Sequence, residues 1–289
     1  MREHLRNAKV SLLLCLSISI IGTLVSSSYF GGASSQENKT LIQPNATQNM
    51  TATTNAGKLN IVLVHGAWAD GSSWEGVITI LQKAGYRVVA AQLPEHSLLD
   101  DVATVKRVIN LVGGPVMLVG HSYGGAVITN AGSNNPNVKG LVYIAAFALD
   151  EGQSIGDFVN PSKLPPGVLI KDEAGLLFWS NPNQFHESFA QDLDPVQANV
   201  LFAAQKPLNS SIFSEKSGSP AWKQLPTWYQ VSDNDRTIPP DIERMFAKQM
   251  NATTISLPAS HASYVSHPNE VAKFILDAAN SISNSTSNK

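Results

Sequence analysis

The chain has few of the residues on which several classes of site depend. Its 289 residues include one cysteine, Cys15, which lies in an N-terminal apolar run. The remainder of the chain therefore holds no disulfide, and no Cys/His cluster has the spacing of a zinc site. No Gly-rich phosphate-binding loop is present. We expect neither a metal nor a cofactor.

An excess of charge of either sign is also missing. The sequence has 20 Lys and Arg residues against 22 Asp and Glu residues, a formal net charge of −2. No basic patch is interleaved with aromatic residues, so we expect no nucleic-acid partner. The length allows one domain with a sizeable core once the two ends are set aside.

The N-terminal segment predicts export from the cytoplasm. Arg2, Arg6 and Lys9 precede an apolar run from Val10 to Val25, and small serines follow. Residues 1–28 are typical of a secretory signal peptide or of an uncleaved anchor, and the short run favours cleavage. We expect a secreted or cell-envelope protein that contacts a membrane only through this segment.

Composition divides the remaining chain into three parts. Residues 29–57 are rich in Ser, Thr, Asn and Gln and predict a disordered tether. Residues 58–280 predict the folded domain, and residues 281–289 a disordered tail. Within the domain, strand-length apolar runs alternate with helical patterns. This alternation predicts an α/β fold with a mostly parallel sheet of about six strands, flanked by helices on both faces.

The alternation breaks between residues 149 and 225, which are rich in proline and aromatic residues. We interpret this stretch as a mostly helical cap inserted into the domain. Aromatic residues in a cap suit an apolar substrate pocket, and Trp179 and His186 are our candidates for its lining. The alternatives are that such aromatics only attach the cap to the core and that His186 is a surface histidine.

The most informative motif surrounds Ser122. The apolar run 115–119 predicts a strand, residues 120–125 read Gly-His-Ser-Tyr-Gly-Gly, and a helical pattern follows. This order is typical of a nucleophile elbow, in which a serine on a strained turn exposes its hydroxyl. Side chains at Gly120 and Gly124 would collide across that turn. The alternative is a glycine-rich turn that only packs tightly.

A second motif lies upstream and predicts the electrophilic part of the site. The apolar run 59–64 ends in His65-Gly66-Ala67-Trp68. Loops after such a strand supply one N–H of the oxyanion hole in hydrolases with a serine elbow. We expect the backbone N–H groups of Ala67 and Tyr123 to form that hole. Trp68 is a candidate for the pocket wall, with core packing as the alternative.

An acid and a base follow in the chain order expected after the serine. Asp235 and Asp233 lie on a loop after a predicted strand at 226–231. We favour Asp235 as the acid that orients a histidine, since Asp233 suits an Asx turn. His261 follows the last predicted strand and is our candidate for the general base.

The remaining histidines have simpler interpretations. His65 and His121 belong to the two turns and are predicted to hold the loop and to face the interior. The other candidates lie in the leader, on a crossover loop or before a proline; they are His4, His96 and His267.

Together these motifs resemble the α/β-hydrolase superfamily. The resemblance rests on residues 64–68, 120–125, 235–240 and 260–263 and extends over about 58–280. Within the superfamily the chain is most similar to compact esterases and lactonases related to plant methylesterases and hydroxynitrile lyases, a branch that includes enzymes acting on acyl-homoserine lactones or pyrethroid esters.

The resemblance implies a serine hydrolase of small lipophilic esters or lactones, with Ser122 as nucleophile, His261 as base and Asp235 as acid. Lyases of this branch have a lysine after the catalytic histidine, where this chain has Ala262, which argues against cyanohydrin cleavage. Dehalogenase and epoxide hydrolase relatives use an aspartate nucleophile, and Ser122 argues against both. A hydrolase-derived ligand receptor without turnover remains a third alternative.

Overall fold

The computed structural model describes residues 59–159 and 167–287. Its main sheet has six strands, all parallel, in the order β2-β1-β3-β4-β8-β9. The prediction of an α/β fold with about six strands is confirmed. The six strands are β1 (Asn60–Val64), β2 (Val88–Ala91), β3 (Val116–His121), β4 (Val138–Ile144), β8 (Thr227–Ser232) and β9 (Thr253–Leu257).

Helices cover both faces of this sheet, as near-continuous apolar strands require. On one face lie α1 (Glu75–Lys83), α7 (Ser263–Ser266) and α8 (Pro268–Ser287), each in contact with the other two. On the other lie α2 (Leu98–Val112), α3 (Tyr123–Ala131) and α6 (Pro240–Gln249). The central strand β3 is buried along its whole length, so the serine that follows it starts from a rigid support.

The insert between β4 and β8 contains more β-structure than the sequence predicted. It has a three-stranded antiparallel sheet. Its elements are β5 (Leu169–Lys171), β6 (Leu176–Trp179), α4 (Pro182–Phe189), α5 (Pro195–Ala203) and β7 (Leu208–Asn209). Most of the regular structure in its described residues is still helical, as predicted. Its strands of two to four residues are too short to show a period of two, so the sequence did not predict them.

The C-terminal end is also more ordered than predicted. Helix α8 continues to Ser287, whereas the sequence predicted a disordered tail from residue 281. Ile282 explains the difference, because it is buried and packs against Gly140, where a side chain would collide with it. One buried isoleucine thus extends the helix into a polar stretch.

The leader predicted at 1–28 and the tether predicted at 29–57 lie outside the described residues. Within the described ranges, no helix has the length and apolar character needed to span a bilayer.

Candidate active site

Ser122 connects the end of β3 to the start of α3 through a strained turn. Its φ of 50° and ψ of −122° are unfavourable for a residue with a side chain. A Cβ on Gly120 would lie 2.5 Å from the carbonyl oxygen of Gly124, and a Cβ on Gly124 would lie 2.5 Å from that of Val64. Both glycines are therefore required by the close approach of backbone, and the turn has the geometry of a nucleophile elbow.

Asp235 and His261 meet at the same edge of the sheet as Ser122, because each follows the carboxyl end of a parallel strand. The Oδ2 atom of Asp235 lies 2.5 Å from Nδ1 of His261, and both side chains are fully buried. The N–H groups of Thr237 and Ile238 donate to Oδ1 of Asp235 at 2.6 and 2.8 Å. These bonds hold the carboxylate in one orientation.

The other nitrogen of the His261 ring is free. Nε2 is buried and has no hydrogen-bond partner in the described part of the chain. Since Nδ1 faces a carboxylate and carries the proton, Nε2 has a lone pair available to accept one. The runner-up acid, Asp233, points elsewhere: its Oδ1 is paired with Arg244 at the surface, 2.6 Å from Nη2.

His121 ties the base to the elbow. Its Nε2 donates to the carbonyl oxygen of His261 at 2.9 Å, and the two rings lie 4.7 Å apart between centroids. Burial lowers the pKa of His121 well below its usual value, so the ring is neutral. Because His121 directly precedes Ser122, this hydrogen bond connects the position of His261 to the elbow.

The two predicted oxyanion donors lie beside Ser122. Ala67, Tyr123 and Ser122 line one cavity. The N–H groups of Ala67 and Tyr123 donate no hydrogen bond to any group in residues 59–159 or 167–287. Unpaired N–H groups at a helix N-terminus and a neighbouring loop can stabilise an oxyanion. A Cβ on Gly66 would lie 2.7 Å from Cβ of Ser122, so this loop closely approaches the elbow.

The cavity is mainly apolar. Trp68 and Trp179, both predicted for the pocket, line it and meet edge to face at 5.7 Å between ring centroids. The remaining lining residues were not predicted for the pocket and come from several separate segments; they are Phe147, Ile155, Val159, Leu169, Ser188, Leu208, Phe213, Arg236 and Thr237. Only Arg236 and Thr237 had a signal in the sequence, their position directly after Asp235.

The expectation for His186 requires correction. His186 is not among the residues that line the cavity, and its Nε2 lies 3.0 Å from the carbonyl oxygen of Leu193. This contact closes the turn between α4 and α5. The ring therefore has a structural partner within the cap.

A second group of buried polar side chains lies behind residues 65–68, which we call the oxyanion loop after its predicted role. Nε2 of His65 accepts the N–H of Leu93 at 3.0 Å, and burial lowers the pKa of His65 to about 4. Its Nδ1 lies 3.6 Å from Glu95, whose pKa burial raises to about 10. Asp101 accepts the Tyr123 hydroxyl at 2.5 Å and the Glu95 N–H at 2.8 Å. Uncharged His65 and Glu95 are thus the forms that this interior favours.

Known proteins share this architecture. A pyrethroid hydrolase of Sphingobium wenxiniae is 28% identical over 254 residues, which cover 76% of this chain and 87% of that protein. Methylesterase 18 of Arabidopsis thaliana is 25% identical and covers 78% of this chain and 98% of its own.

A solved structure extends the similarity to three dimensions. The crystal structure of a pyrethroid hydrolase from Sphingobium faniae superposes with a TM-score of 0.66 at 26% identity, covering 77% of this chain and 98% of that one. Residues 61–274 match the alpha/beta hydrolase family. The resemblance inferred from the motifs is confirmed: the chain belongs to the alpha/beta hydrolase family.

Proposed function

We propose that this protein is a serine hydrolase that cleaves carboxylic esters of small lipophilic substrates through a covalent acyl-enzyme. One observation carries the proposal. His261 is bound to Asp235 through Nδ1, while its buried Nε2 has no partner among the described residues. A histidine oriented by a carboxylate, with its second nitrogen free at the edge of the sheet where the elbow serine lies, is the arrangement that a general base requires.

The first half of the reaction forms the acyl-enzyme. His261 Nε2 accepts the proton of the Ser122 hydroxyl as Oγ attacks the ester carbonyl carbon. The negative charge develops on the carbonyl oxygen, and the N–H groups of Ala67 and Tyr123 donate to it. Asp235 stabilises the imidazolium. His261 then gives its proton to the leaving alcohol oxygen as the ester bond breaks.

In the second half of the reaction, water hydrolyses the acyl-enzyme, with His261 again acting first as base and then as acid. His261 Nε2 removes a proton from a water molecule, whose oxygen attacks the acyl carbon. The same two N–H groups stabilise the second oxyanion. When the intermediate collapses, the proton returns to Ser122 Oγ and the carboxylic acid leaves. No metal or cofactor enters any step.

The cavity supports the substrate class. Its walls are mainly aromatic and aliphatic, including Trp68, Trp179 and Phe213, and such a surface favours an apolar substrate. One similar protein is named a pyrethroid hydrolase and another a methylesterase. We therefore propose a small-molecule ester or lactone as substrate. The buried methyl of Ala262, directly after His261, offers no cation for a lyase reaction.

The test is hydrolysis by the full chain of p-nitrophenyl esters of rising acyl length and of acyl-homoserine lactones. Ser122→Ala should lower kcat by several orders of magnitude. Whichever series is hydrolysed with the higher kcat/KM distinguishes a general esterase from a lactonase. Ester hydrolysis that survives Ser122→Ala would disprove the mechanism. Tight binding of these compounds without turnover would favour the receptor alternative. Cleavage of a cyanohydrin in a separate assay would favour the lyase alternative.

We also propose that residues 1–28 direct the protein out of the cytoplasm, to the cell envelope or the medium. The basic residues followed by the apolar run support this. Cell fractionation of the full chain and of a chain lacking residues 1–28 tests it, and N-terminal sequencing distinguishes cleavage from anchoring. Equal cytoplasmic recovery of both chains would contradict the proposal.

A further inference from the structure

A second carboxyl group lies directly behind the proposed catalytic acid. Glu243 belongs to α6 and is fully buried. Its Oε2 accepts the N–H of Ser232, the last residue of β8, at 2.9 Å. Its Oε1 is buried and receives no N–H or O–H donor from the described residues. Ser232 connects Glu243 to the acid, because its carbonyl oxygen accepts the N–H of Asp235 at 3.2 Å. Asp235 is close enough for its charge to raise the pKa of Glu243.

Two neighbouring buried carboxyl groups share one proton, because two negative charges side by side in the interior repel each other strongly. The hydrogen-bond donors decide which residue is charged. Asp235 accepts from Thr237, Ile238 and His261, whereas within residues 59–159 and 167–287 Glu243 accepts only from Ser232. Three donors stabilise an anion better than one, so the negative charge belongs to Asp235 and the proton to Glu243.

The positive charge of Arg244 lowers the pKa of Glu243, but burial and Asp235 outweigh it. Arg244, the next residue, directs its guanidinium outward to Asp233 and Asp241. Tyr229 faces the pair from β8 and remains a neutral phenol, whose hydroxyl is bonded to the backbone of Ala146. Burial and the neighbouring Asp235 raise the pKa of Glu243 well above its usual value, in agreement with the donor count.

We propose that Glu243 is a positioning residue that stays protonated and donates a hydrogen bond to Asp235, which keeps that carboxylate ionised and aimed at His261. The inference rests on the proposed function, since it assigns Glu243 a role in the same site. Glu243 is not among the residues that line the cavity, and it acts through Asp235. Without its donor, the negative charge of Asp235 would be less dispersed, so its attraction for the imidazolium of His261 would increase.

Infrared spectroscopy tests the proton directly and without substrate. The difference spectrum between the wild-type protein and Glu243→Gln at neutral pH should contain the C=O stretch of a protonated carboxyl group. Only Glu243 differs between the two proteins, so Glu95 and other protonated carboxyls cancel. If the wild-type signal is instead that of a carboxylate, the inference is wrong, whatever the protein hydrolyses.

Kinetics then test the role. Glu243→Gln keeps an N–H donor toward Asp235, and we expect kcat/KM within about fivefold of wild type. Glu243→Leu removes the donor. We expect it to lower kcat/KM about ten- to hundredfold, the size of a hydrogen bond to a charged group, and to move the acid limb of the pH profile upward. Asp241→Asn, on the exposed side of α6, is the matched control and should change kcat/KM less than about twofold.

Each result has one meaning. A folded Glu243→Leu variant with wild-type rate and pH profile would overturn the inference, as would a Glu243→Gln variant as impaired as Glu243→Leu. If Glu243→Leu does not fold, the infrared spectrum and the Gln variant still decide. Hydrolysis that is independent of Ser122 would overturn the proposed function instead. The infrared spectrum would still report whether Glu243 is protonated.

Discussion

The carboxylate of Asp235 and the ring of His261 form a buried pair, with Oδ2 of the acid 2.5 Å from Nδ1 of the base. The geometry fixes the tautomer, because a proton on Nδ1 lies between the two groups and leaves Nε2 as an acceptor. It also fixes the ring, since the acid is itself held by two backbone N–H groups. The pair therefore delivers a base of defined orientation to the edge of the sheet where the elbow lies.

This pair predicts unequal effects for two neighbouring aspartates. Asp235→Asn presents an N–H to Nδ1 of His261, which favours the wrong tautomer and should lower kcat by about 10⁴-fold. Asp233→Asn breaks only an exposed ion pair and should change kcat less than about twofold. Steady-state hydrolysis of one ester by both variants measures the contrast. Equal losses in the two variants would contradict the assignment of the acid.

The oxyanion loop can be tested through its glycine. In Gly66→Ala, the new methyl group would meet Cβ of Ser122 at 2.7 Å and Nδ1 of His121 at 2.8 Å, so the loop must move away from the elbow. We expect kcat to fall by about 10² to 10³-fold as the Ala67 N–H leaves its position. Gly218→Ala, whose methyl has no contact nearer than 3.3 Å, is the control. Wild-type kcat in folded Gly66→Ala would exclude the Ala67 donor.

We expect Trp179 in the cap to limit the length of the acyl chain that the cavity accepts. Trp179 is almost fully buried, lines the cavity and packs edge to face on Trp68. Trp179→Ala should open space and raise the ratio of kcat/KM for long over short p-nitrophenyl esters by about tenfold. Trp222→Ala removes an equally buried indole that is not among the lining residues, so it controls for lost stability. A parallel change of the ratio in both variants would argue against a pocket role.

Sequence patterns predicted the sheet and the three residues of the candidate triad because local features mark them. Apolar runs mark buried parallel strands, and Gly-x-Ser-x-Gly marks a turn that only glycine neighbours allow. Glu243 and Glu95 were not predicted, since the burial of an acidic residue depends on contacts distant in the chain. The same reason explains why the end of α8 was not predicted. Ile282 is buried against β4, and this contact keeps α8 helical beyond the predicted end of the domain.

Glu95 and His65 give the stability of the fold opposite pH dependences. His65 has a folded pKa of about 4 against an ordinary 6.5, mainly through burial. The unfolded chain therefore binds more protons, and stability is lost as the pH falls from about 6.5 to about 4. Glu95 has a folded pKa of about 10 against an ordinary 4.5, again mainly through burial. Here the folded chain binds more protons, so stability is lost as the pH rises from about 4.5 to about 10.

Replacing Glu95 by glutamine should remove the second dependence and leave the first. Neither oxygen of Glu95 has a hydrogen-bond partner in the described residues, so the amide forfeits no existing bond. Relative to wild type, Glu95→Gln should gain free energy of unfolding as the pH rises, by at most about 1.4 kcal/mol per pH unit. Urea unfolding from pH 5 to pH 8 measures the slope, with exposed Glu173→Gln as control. Parallel curves for wild type and Glu95→Gln would mean that Glu95 is ionised in the folded protein.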